Sequence, residues 1–293
     1  MSTPVISVEY KGRVAVLTIN NPKKLGALNR DQYYELASKM DEIAARDDVF
    51  VTVLVGTGRY FSAYVHLPPP ALSWTLHTRP PTACEFILTL PTSGADVTSA
   101  AASGPPDRRS ILTSFMAPNL DLTRSFYAHP KILVAALNGP VVGLSAALVS
   151  LADFIYCTPS TFLLTPFSSL GLVAEGVASR SLVSRLGPAK ANEALIMSRK
   201  IGAEALRGCG YVNEVFEAEG FGERVLREVE DKLGEHLVGE SLLGIKKLIR
   251  RPEIEVLERQ NLEECLGGVE RFMKGSPQAE FAKVAKGEKR HKL

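Results

Sequence analysis

Apolar residues in the first part of the chain fall into short runs that alternate with amphipathic segments. Val5–Tyr10 and Val14–Asn20 are rich in β-forming residues, and Lys11-Gly12-Arg13 separates them, which predicts a β-hairpin. Asn29 is a preferred N-cap residue, and apolar side chains recur at helical spacing over residues 30–46. The pattern therefore predicts a hairpin followed by an amphipathic helix.

The middle of the chain continues the alternation. The continuous apolar runs Val51–Val55 and Ile132–Leu137 predict buried parallel strands, with a helix over Thr113–Tyr127 between them. The turn Asn138-Gly139-Pro140 then precedes a predicted helix that begins at about Gly143. Two short strands are predicted next, at Phe154–Cys157 and Phe162–Leu164.

The chain is predicted to be mainly helical after Ala178. The predicted helices are Ser179–Arg185, Lys190–Ser198, Ala203–Gly208, Gly222–Gly239, Glu240–Ile249 and Glu253–Ala285. Strands and helices that alternate, followed by helices alone, predict an α/β fold with a helical C-terminal subregion. We therefore expect an α/β core over residues 1–200 and a helical region over residues 201–293.

Composition limits the classes of function. The 293 residues suffice for one large domain with a sizeable core, and a net charge of +2 without a long basic block argues against nucleic acid binding. No apolar run reaches the ~18 residues of a membrane span, and the N-terminus lacks the features of a signal peptide. The four scattered cysteines show no metal-ligand spacing, which favours reduced thiols inside the cell. The basic stretch Lys283–Lys292 is either a solvated helix end or a site for phosphate-bearing ligands.

The segment Leu164–Gly176 holds one carboxylate, Glu175, among apolar neighbours. Burial would disfavour its charged form and raise its pKa, which suits a general base near neutral pH. The helix predicted from Gly143 would offer free backbone N–H groups to a developing oxyanion. Together these features indicate proton abstraction next to a carbonyl group. The alternative is that Glu175 caps a helix or pairs with Arg180 at the surface.

The segment Tyr64–Ser93 does not fit the pattern around it. It holds six of the 18 prolines, the only tryptophan and just two charged residues, and it lacks helical or strand periodicity over most of its length. When it is left out, Arg59–Ala63 joins Gly94–Val97 to read RYFSA-GADV. That sequence resembles the oxyanion-loop signature of the crotonase (enoyl-CoA hydratase/isomerase) superfamily.

Two further segments carry the same resemblance. Residues 138–148 resemble the superfamily's second oxyanion element, and Leu163–Gly176 is more similar to fungal peroxisomal Δ3,Δ2-enoyl-CoA isomerases than to hydratases. The resemblance covers about residues 5–63 and 94–285. It implies a crotonase-like α/β fold, with a ββα spiral core and a helical C-terminal subregion.

The resemblance also implies a reaction. Glu175 would remove a C2 proton from a 3-enoyl-CoA, the backbone N–H groups of Ala95 and Leu144 would hold the oxyanion, and Glu175 would return the proton to C4. Hydratases of the superfamily use two glutamates, and the matching positions here are Ala147 and Phe167, which cannot activate or protonate water. No metal or redox cofactor is implied. Two alternatives stay open: a dienoyl-CoA isomerase, which would want further acidic residues in the acyl pocket, and a non-catalytic acyl-CoA-binding scaffold.

Further residues are candidates for substrate binding. The loop that resembles the CoA adenine-binding loop contributes Lys24, Leu25 and Ala27, and the C-terminal helix offers Phe281, Lys283 and Lys286 to the CoA phosphates. Asn119 and Phe167 are candidates near the acyl chain. The structural alternatives are an ordinary loop, a solvated helix face and plain core packing.

The resemblance implies partners as well. The expected ligand is an acyl-CoA thioester and the expected assembly is a homotrimer or hexamer, without nucleic acid or a membrane span. The last residues, His291-Lys292-Leu293, resemble the Ser-Lys-Leu type of peroxisomal address, which implies a peroxisomal import receptor as a partner and the peroxisome as the location.

The unusual segment Tyr64–Ser93 suggests a hypothesis of its own. Its deletion restores the oxyanion-loop signature, and the genetic code permits a splice donor at Ala63-Tyr64-Val65 and an acceptor at Thr92-Ser93. We therefore interpret the segment as translated intron. The alternative is a genuine inserted lid or partner-binding loop. In either case an insertion directly before Gly94 threatens the placement of the Ala95 N–H.

Overall fold

The computed structural model describes residues 4–62 and 107–289. Strands β1 (Ile6–Lys11) and β2 (Val14–Ile19) form the predicted antiparallel hairpin, with Lys11 opposite Val14. Gly12, at the turn, has a positive φ of 54°, a conformation that glycine adopts without the cost of a Cβ clash. The predictions that fall on residues 63–106 and 290–293 lie outside the described residues.

A six-stranded sheet runs through the molecule. Besides the hairpin it contains β3 (Val51–Gly56), β4 (Ile132–Leu137), β6 (Phe154–Cys157) and β9 (Glu214–Val215). The strand order is β1-β2-β3-β4-β6-β9, and neighbouring strands are parallel from β2 onward. The predicted strands up to β6 are confirmed. Both faces of the sheet are buried, because alternate residues of β2 such as Val16 and Leu17 enter two different apolar clusters. Two-sided burial explains the unbroken apolar runs.

A second sheet joins β5 (Val141–Val142), β7 (Phe162–Leu164) and β8 (Ile201–Gly202). Ser62 forms an isolated bridge to Val141 at the end of this sheet. The two-residue strands β5, β8 and β9 were not predicted, since so short a segment carries no periodic signal. Strands β8 and β9 pair with earlier strands, so the chain beyond residue 200 is hydrogen-bonded to the α/β core.

The helices cover both faces of the larger sheet. Their bounds are α1 (Arg30–Ala44), α2 (Arg108–Ile111), α3 (Ala117–Tyr127), α4 (Leu144–Val149), α5 (Ala178–Leu195), α6 (Ala203–Gly208), α7 (Phe221–Leu233), α8 (Gly239–Met273) and α9 (Ser276–Ala285), with a π-helical turn at Leu112–Met116 and 3-10 turns at Pro22–Lys24 and Ser168–Leu170. Helix α1 begins at the predicted cap: the Asn29 side chain accepts from the Gln32 N–H, and the Gln32 side chain accepts from the Asn29 N–H.

Several predicted helix boundaries are wrong for local reasons. Helix α8 continues through Pro252, where two helices were predicted. Pro252 has no N–H to donate to the carbonyl of Leu248, four residues earlier. Both residues are exposed, so water can donate to that carbonyl instead. The break falls instead at Gly275, which has a φ of 72°. By contrast, the two helices predicted at residues 179–198 are both present within α5, because Gly187, with a φ of 73° and a ψ of 160°, interrupts the helical backbone between them.

Candidate active site

Glu175 lies in the loop between the turn Ser168–Leu170 and helix α5. Its side chain is buried, with 4% of the residue exposed. The surface alternative is wrong, because Arg180 forms its ion pair with Glu253 at 2.8 Å. At the start of α5, the Ser179 N–H donates to Glu264 Oε1 at 2.9 Å, so the carboxylate that caps this N–H is that of Glu264. Burial raises the pKa of the Glu264 carboxyl, and the hydrogen bonds that it accepts from Ser179 lower the pKa by a smaller amount.

Asn119 donates a hydrogen bond to the Glu175 carboxylate. Its Nδ2 donates to Glu175 Oε2 at 2.9 Å, and both residues are buried. The Thr123 hydroxyl, one turn further along α3, donates to Asn119 Oδ1 at 3.2 Å. This second bond fixes the orientation of the amide, because only the NH₂ end is then left to face the carboxylate.

The first turn of α4 packs against the residue that follows Glu175. Gly176 has a φ of 69°, and a Cβ built on it would lie 2.8 Å from Ala147 Cβ and 2.9 Å from Leu144 Cδ1. Leu144 is the first residue of α4, so its N–H has no acceptor within the helix. The structure therefore brings Glu175 and Leu144 to one place. The other expected oxyanion donor, Ala95, lies outside the described residues.

A cleft opens between α1 and α3, directly above α4. Its lining includes Tyr33 from α1, Asn119 from α3 and Leu144. Burial raises the pKa of Tyr33 to about 12, and the charge of Glu175 adds to the increase. The phenol therefore stays protonated near neutral pH and can donate a hydrogen bond. An apolar chain that entered this cleft would contact Leu144, the first residue of α4, and Asn119, which donates a hydrogen bond to the Glu175 carboxylate.

Three hydroxyl groups beside the cleft are joined by hydrogen bonds. The Tyr33 and Ser145 oxygens are 3.1 Å apart, and the Ser145 and Ser62 oxygens are 2.8 Å apart. Sequence reasoning missed these residues, together with Thr123. The available signals were the position of Ser145 directly after Leu144 and of Ser62 within the RYFSA motif.

The expected adenine-binding loop lies close to Ser62. Leu25, with a positive φ of 53°, packs with Tyr60 and Val142 in a small apolar cluster. Gly26 lies so close to the Phe61 carbonyl that a Cβ would clash with it. Lys24 is exposed and Ala27 is half-buried. The loop is therefore adjacent to the site, and its role in binding stays a prediction.

The remaining candidates lie in the core or on the C-terminal helix. Phe167 and Ala147 are buried in the main apolar cluster, so neither position provides a carboxylate. Phe281 on α9 joins the same cluster. Lys283 forms an ion pair with Glu280 at 2.7 Å, with half of its own side chain exposed. Substrate contacts by Phe167, Phe281 and Lys283 stay predictions.

Within residues 4–62 and 107–289, no three His, Cys, Asp or Glu side chains are placed to hold a metal ion. In the same part of the chain, every helix is too short or too polar to cross a bilayer.

Comparison with known proteins finds close relatives. A sequence profile described as enoyl-CoA hydratase/isomerase matches residues 91–250. The chain is 58% identical to a Δ(3,5)-Δ(2,4)-dienoyl-CoA isomerase of Pyricularia oryzae, over 99% of both chains. It is 28% identical to the 3,2-trans-enoyl-CoA isomerase of Saccharomyces cerevisiae, over 98% of this chain and 96% of the other.

A solved structure has the same fold. It is an enoyl-CoA hydratase/isomerase from Pseudoalteromonas atlantica, with a TM-score of 0.77 and 22% identity over 99% of this chain and 100% of that chain. The fold expected from the sequence, an α/β crotonase-like core with helices at the C-terminal end, is therefore confirmed.

Proposed function

Because the chain belongs to the enoyl-CoA hydratase/isomerase family and is an enzyme of the enoyl-CoA isomerase type, we propose that it converts 3-enoyl-CoA to 2-trans-enoyl-CoA. One observation carries the proposal: the Glu175 carboxylate is buried, held by Asn119, and adjacent to the first turn of α4. The arrangement suits a single base that moves one proton between two nearby carbons.

The proposed reaction has two proton transfers. The Glu175 carboxylate takes a proton from C2, and the electrons of the C2–H bond enter a dienolate whose negative charge lies on the thioester oxygen. The backbone N–H groups of Leu144 and Ala95 stabilise that oxygen. The Glu175 carboxyl then gives the proton to C4, the double bond settles between C2 and C3, and the carboxylate is regenerated.

A second candidate is the 3,5-dienoyl-CoA to 2,4-dienoyl-CoA isomerisation. The relative from Pyricularia oryzae, which bears the corresponding name, supports it. This reaction moves a proton from C2 to C6, a longer path than from C2 to C4. Ala147 and Phe167 supply no second carboxylate, and this supports the shorter shift.

Both substrates should be tested on the wild type, Glu175→Gln and the exposed control Glu255→Gln. We expect the wild type and Glu255→Gln to isomerise 3-enoyl-CoA, and Glu175→Gln to bind the thioester without turnover. Exclusive turnover of the 3,5-dienoyl-CoA by the wild type would establish the second candidate instead. Turnover by Glu175→Gln would contradict the role of the carboxylate.

We propose that the CoA moiety of the substrate binds along the loop that contains Lys24, Leu25 and Ala27. This loop packs beside Ser62 and the strand β5, so a thioester at Leu144 could extend towards it. Phe281 and Lys283 are proposed to meet the CoA from α9. A homotrimer or hexamer stays the expected assembly, which light scattering after gel filtration would measure.

Peroxisomal location is proposed for the same enzyme. The residues that carry the proposal are His291-Lys292-Leu293. A fluorescent protein fused in front of the chain should accumulate in peroxisomes and become diffuse when the three residues are removed. Diffuse signal from both fusions would contradict the proposal.

A further inference from the structure

The chain of hydroxyl groups Tyr33–Ser145–Ser62 connects three separate parts of the fold. Tyr33 lies in the first turn of α1, Ser145 is the second residue of α4, and Ser62 forms a bridge to Val141 of the smaller sheet. The two links measure 3.1 Å and 2.8 Å, within the range of O–H···O hydrogen bonds or just beyond it. Ser145 and Ser62 are both buried.

The residues at both ends of this chain of hydroxyl groups are fixed by hydrogen bonds in their own elements. Ser62 is fixed through its backbone, because its N–H donates to the Pro140 carbonyl at 3.3 Å and its own carbonyl accepts from the Val142 N–H at 3.1 Å. Tyr33 is fixed through α1, whose N-terminus is closed by the reciprocal bonds of Asn29 and Gln32. Ser145 is therefore held from two sides by hydroxyl groups that belong to other elements.

Ser145 directly follows Leu144, whose N–H is the proposed oxyanion donor. A rotation of the first turn of α4 would move the Ser145 oxygen and the Leu144 N–H together, since they belong to consecutive residues. Oxyanion donors must be placed accurately, and a misplacement of about 1 Å can cost on the order of 10²-fold in rate. A serine in a first turn also has competing local acceptors on the backbone, which the two hydroxyl partners displace.

We propose that Tyr33 and Ser145 are positioning residues that set the orientation of the Leu144 N–H through the hydroxyl chain to Ser62, an inference that rests on the proposed isomerase function. The Tyr33 phenol suits this role, because burial keeps the hydroxyl group protonated and the side chain lines the cleft. The effect is exerted on the transition state, in which the oxyanion forms, and only weakly on substrate binding.

The test uses Tyr33→Phe and Ser145→Ala, singly and together, with Tyr10→Phe as the control. Tyr10 also donates a hydroxyl hydrogen bond, to Glu42 at 3.1 Å, on the first strand. We expect each single variant to lose about tenfold in kcat with KM within about twofold of the wild type. The double variant should lose no more than Ser145→Ala alone, because both changes break the same chain.

A second readout is independent of turnover. Acetoacetyl-CoA is a thioester that ionises to an enolate with its own ultraviolet absorbance, and an oxyanion site favours the enolate. The wild type should bind it and increase the enolate fraction, and Tyr33→Phe should bind it equally well with a smaller fraction. If the wild type neither isomerises 3-enoyl-CoA nor binds acetoacetyl-CoA, the proposed function fails, and this inference with it.

The remaining outcomes separate the two proposals. A Tyr33→Phe variant with the kcat and enolate fraction of an active wild type would overturn the positioning role and leave the isomerase proposal standing. Losses that multiply in the double variant would overturn it as well, because they would show two independent effects. An increase in KM of the Tyr33→Phe variant with kcat unchanged would assign Tyr33 to substrate binding and contradict its positioning role.

Discussion

At the scale of single residues, the charge of a buried polar group depends both on its hydrogen-bond partners and on burial itself. The Glu175 carboxylate accepts a hydrogen bond from Asn119, which favours its ionised form. His129 shows the opposite case. It is 3% exposed, its Nε2 lies 2.8 Å from the Thr52 hydroxyl, and burial together with the charge of Lys246 lowers its pKa to about 3.

We expect Asn119→Ala to slow turnover and to move the acid side of the kcat/KM profile to higher pH. The variant loses a donor to a charged group, worth about 1.5–3 kcal/mol, so the carboxylate takes up a proton more readily. The expected loss at neutral pH is about tenfold or more. The measurement is kcat/KM against pH, with the exposed Asn192→Ala as control. If kcat/KM falls at the same acidic pH in the variant as in the wild type, Asn119 does not affect the pKa of Glu175.

His129 should make the protein less stable in mild acid. The unfolded chain takes up a proton near the ordinary pKa of 6.5, whereas the folded chain stays neutral at this site down to about pH 3. Lowering the pH from 7 to 5 therefore favours the unfolded state by about 2 kcal/mol through this residue.

Urea unfolding of the wild type, His129→Gln and the exposed control His236→Gln at both pH values measures this contribution. The difference in unfolding free energy between pH 7 and pH 5 should shrink in His129→Gln only. An equal difference in all three proteins would contradict the assignment.

At the scale of elements, the position of α4 relative to Glu175 depends on its contact with the loop that carries this residue. The loop turns through Gly176 in the left-handed region, and the lack of a Cβ lets it lie against Ala147 and Leu144. Base and oxyanion donor therefore come from different elements, and their separation depends on this one close approach.

Gly176→Ala should reduce kcat by about tenfold or more, because the new methyl group would push the first turn of α4 away. Gly210→Ala is the matched control: Gly210 also has a positive φ, of 79°, but a Cβ there would meet nothing within 4 Å. Both variants should lose about 1 kcal/mol of stability from the backbone conformation. Kinetics and urea unfolding measure the two effects, and equal kcat in both variants would refute the argument.

At the scale of the whole molecule, two sheets and the covering helices bring distant segments to one site. Helix α1, helix α3, the turn before α4 and the loop before α5 all contribute residues, and α8 secures the N-terminus of α5 through Glu264. The segment Tyr64–Ser93 enters the chain between Ser62 and Ala95, two residues assigned to this site.

Removal of Tyr64–Ser93 should therefore increase isomerase activity. The shortened chain restores the oxyanion-loop signature, and correct placement of the Ala95 N–H can be worth about 10²-fold in rate. The comparison is 3-enoyl-CoA turnover by both versions, with Glu175→Gln in the shortened chain as the inactive control. Equal activity in both would make the segment a tolerated loop, and its presence in every mature transcript would refute the intron hypothesis.

The sequence by itself predicted the elements with strong periodic or local signals. The hairpin, the cap at Asn29 and the buried strands β3, β4 and β6 follow from alternation, continuous apolar runs and capping chemistry, all of which act within a few residues. The sequence also predicted Glu175 as the candidate base, because it is the one carboxylate in an otherwise apolar segment. The uninterrupted α8 was not predicted, since the cost of Pro252 depends on its exposure.

Only the tertiary structure decided which groups meet. That Asn119 contacts Glu175, 56 positions away, and that Tyr33 reaches Ser145 across 112 positions depends on how α1 and α3 pack over α4. It also decided that Arg180 pairs with Glu253 and leaves Glu175 inside. Local sequence determines the backbone conformation of each segment, whereas long-range contacts depend on the simultaneous packing of all segments, which no short pattern encodes.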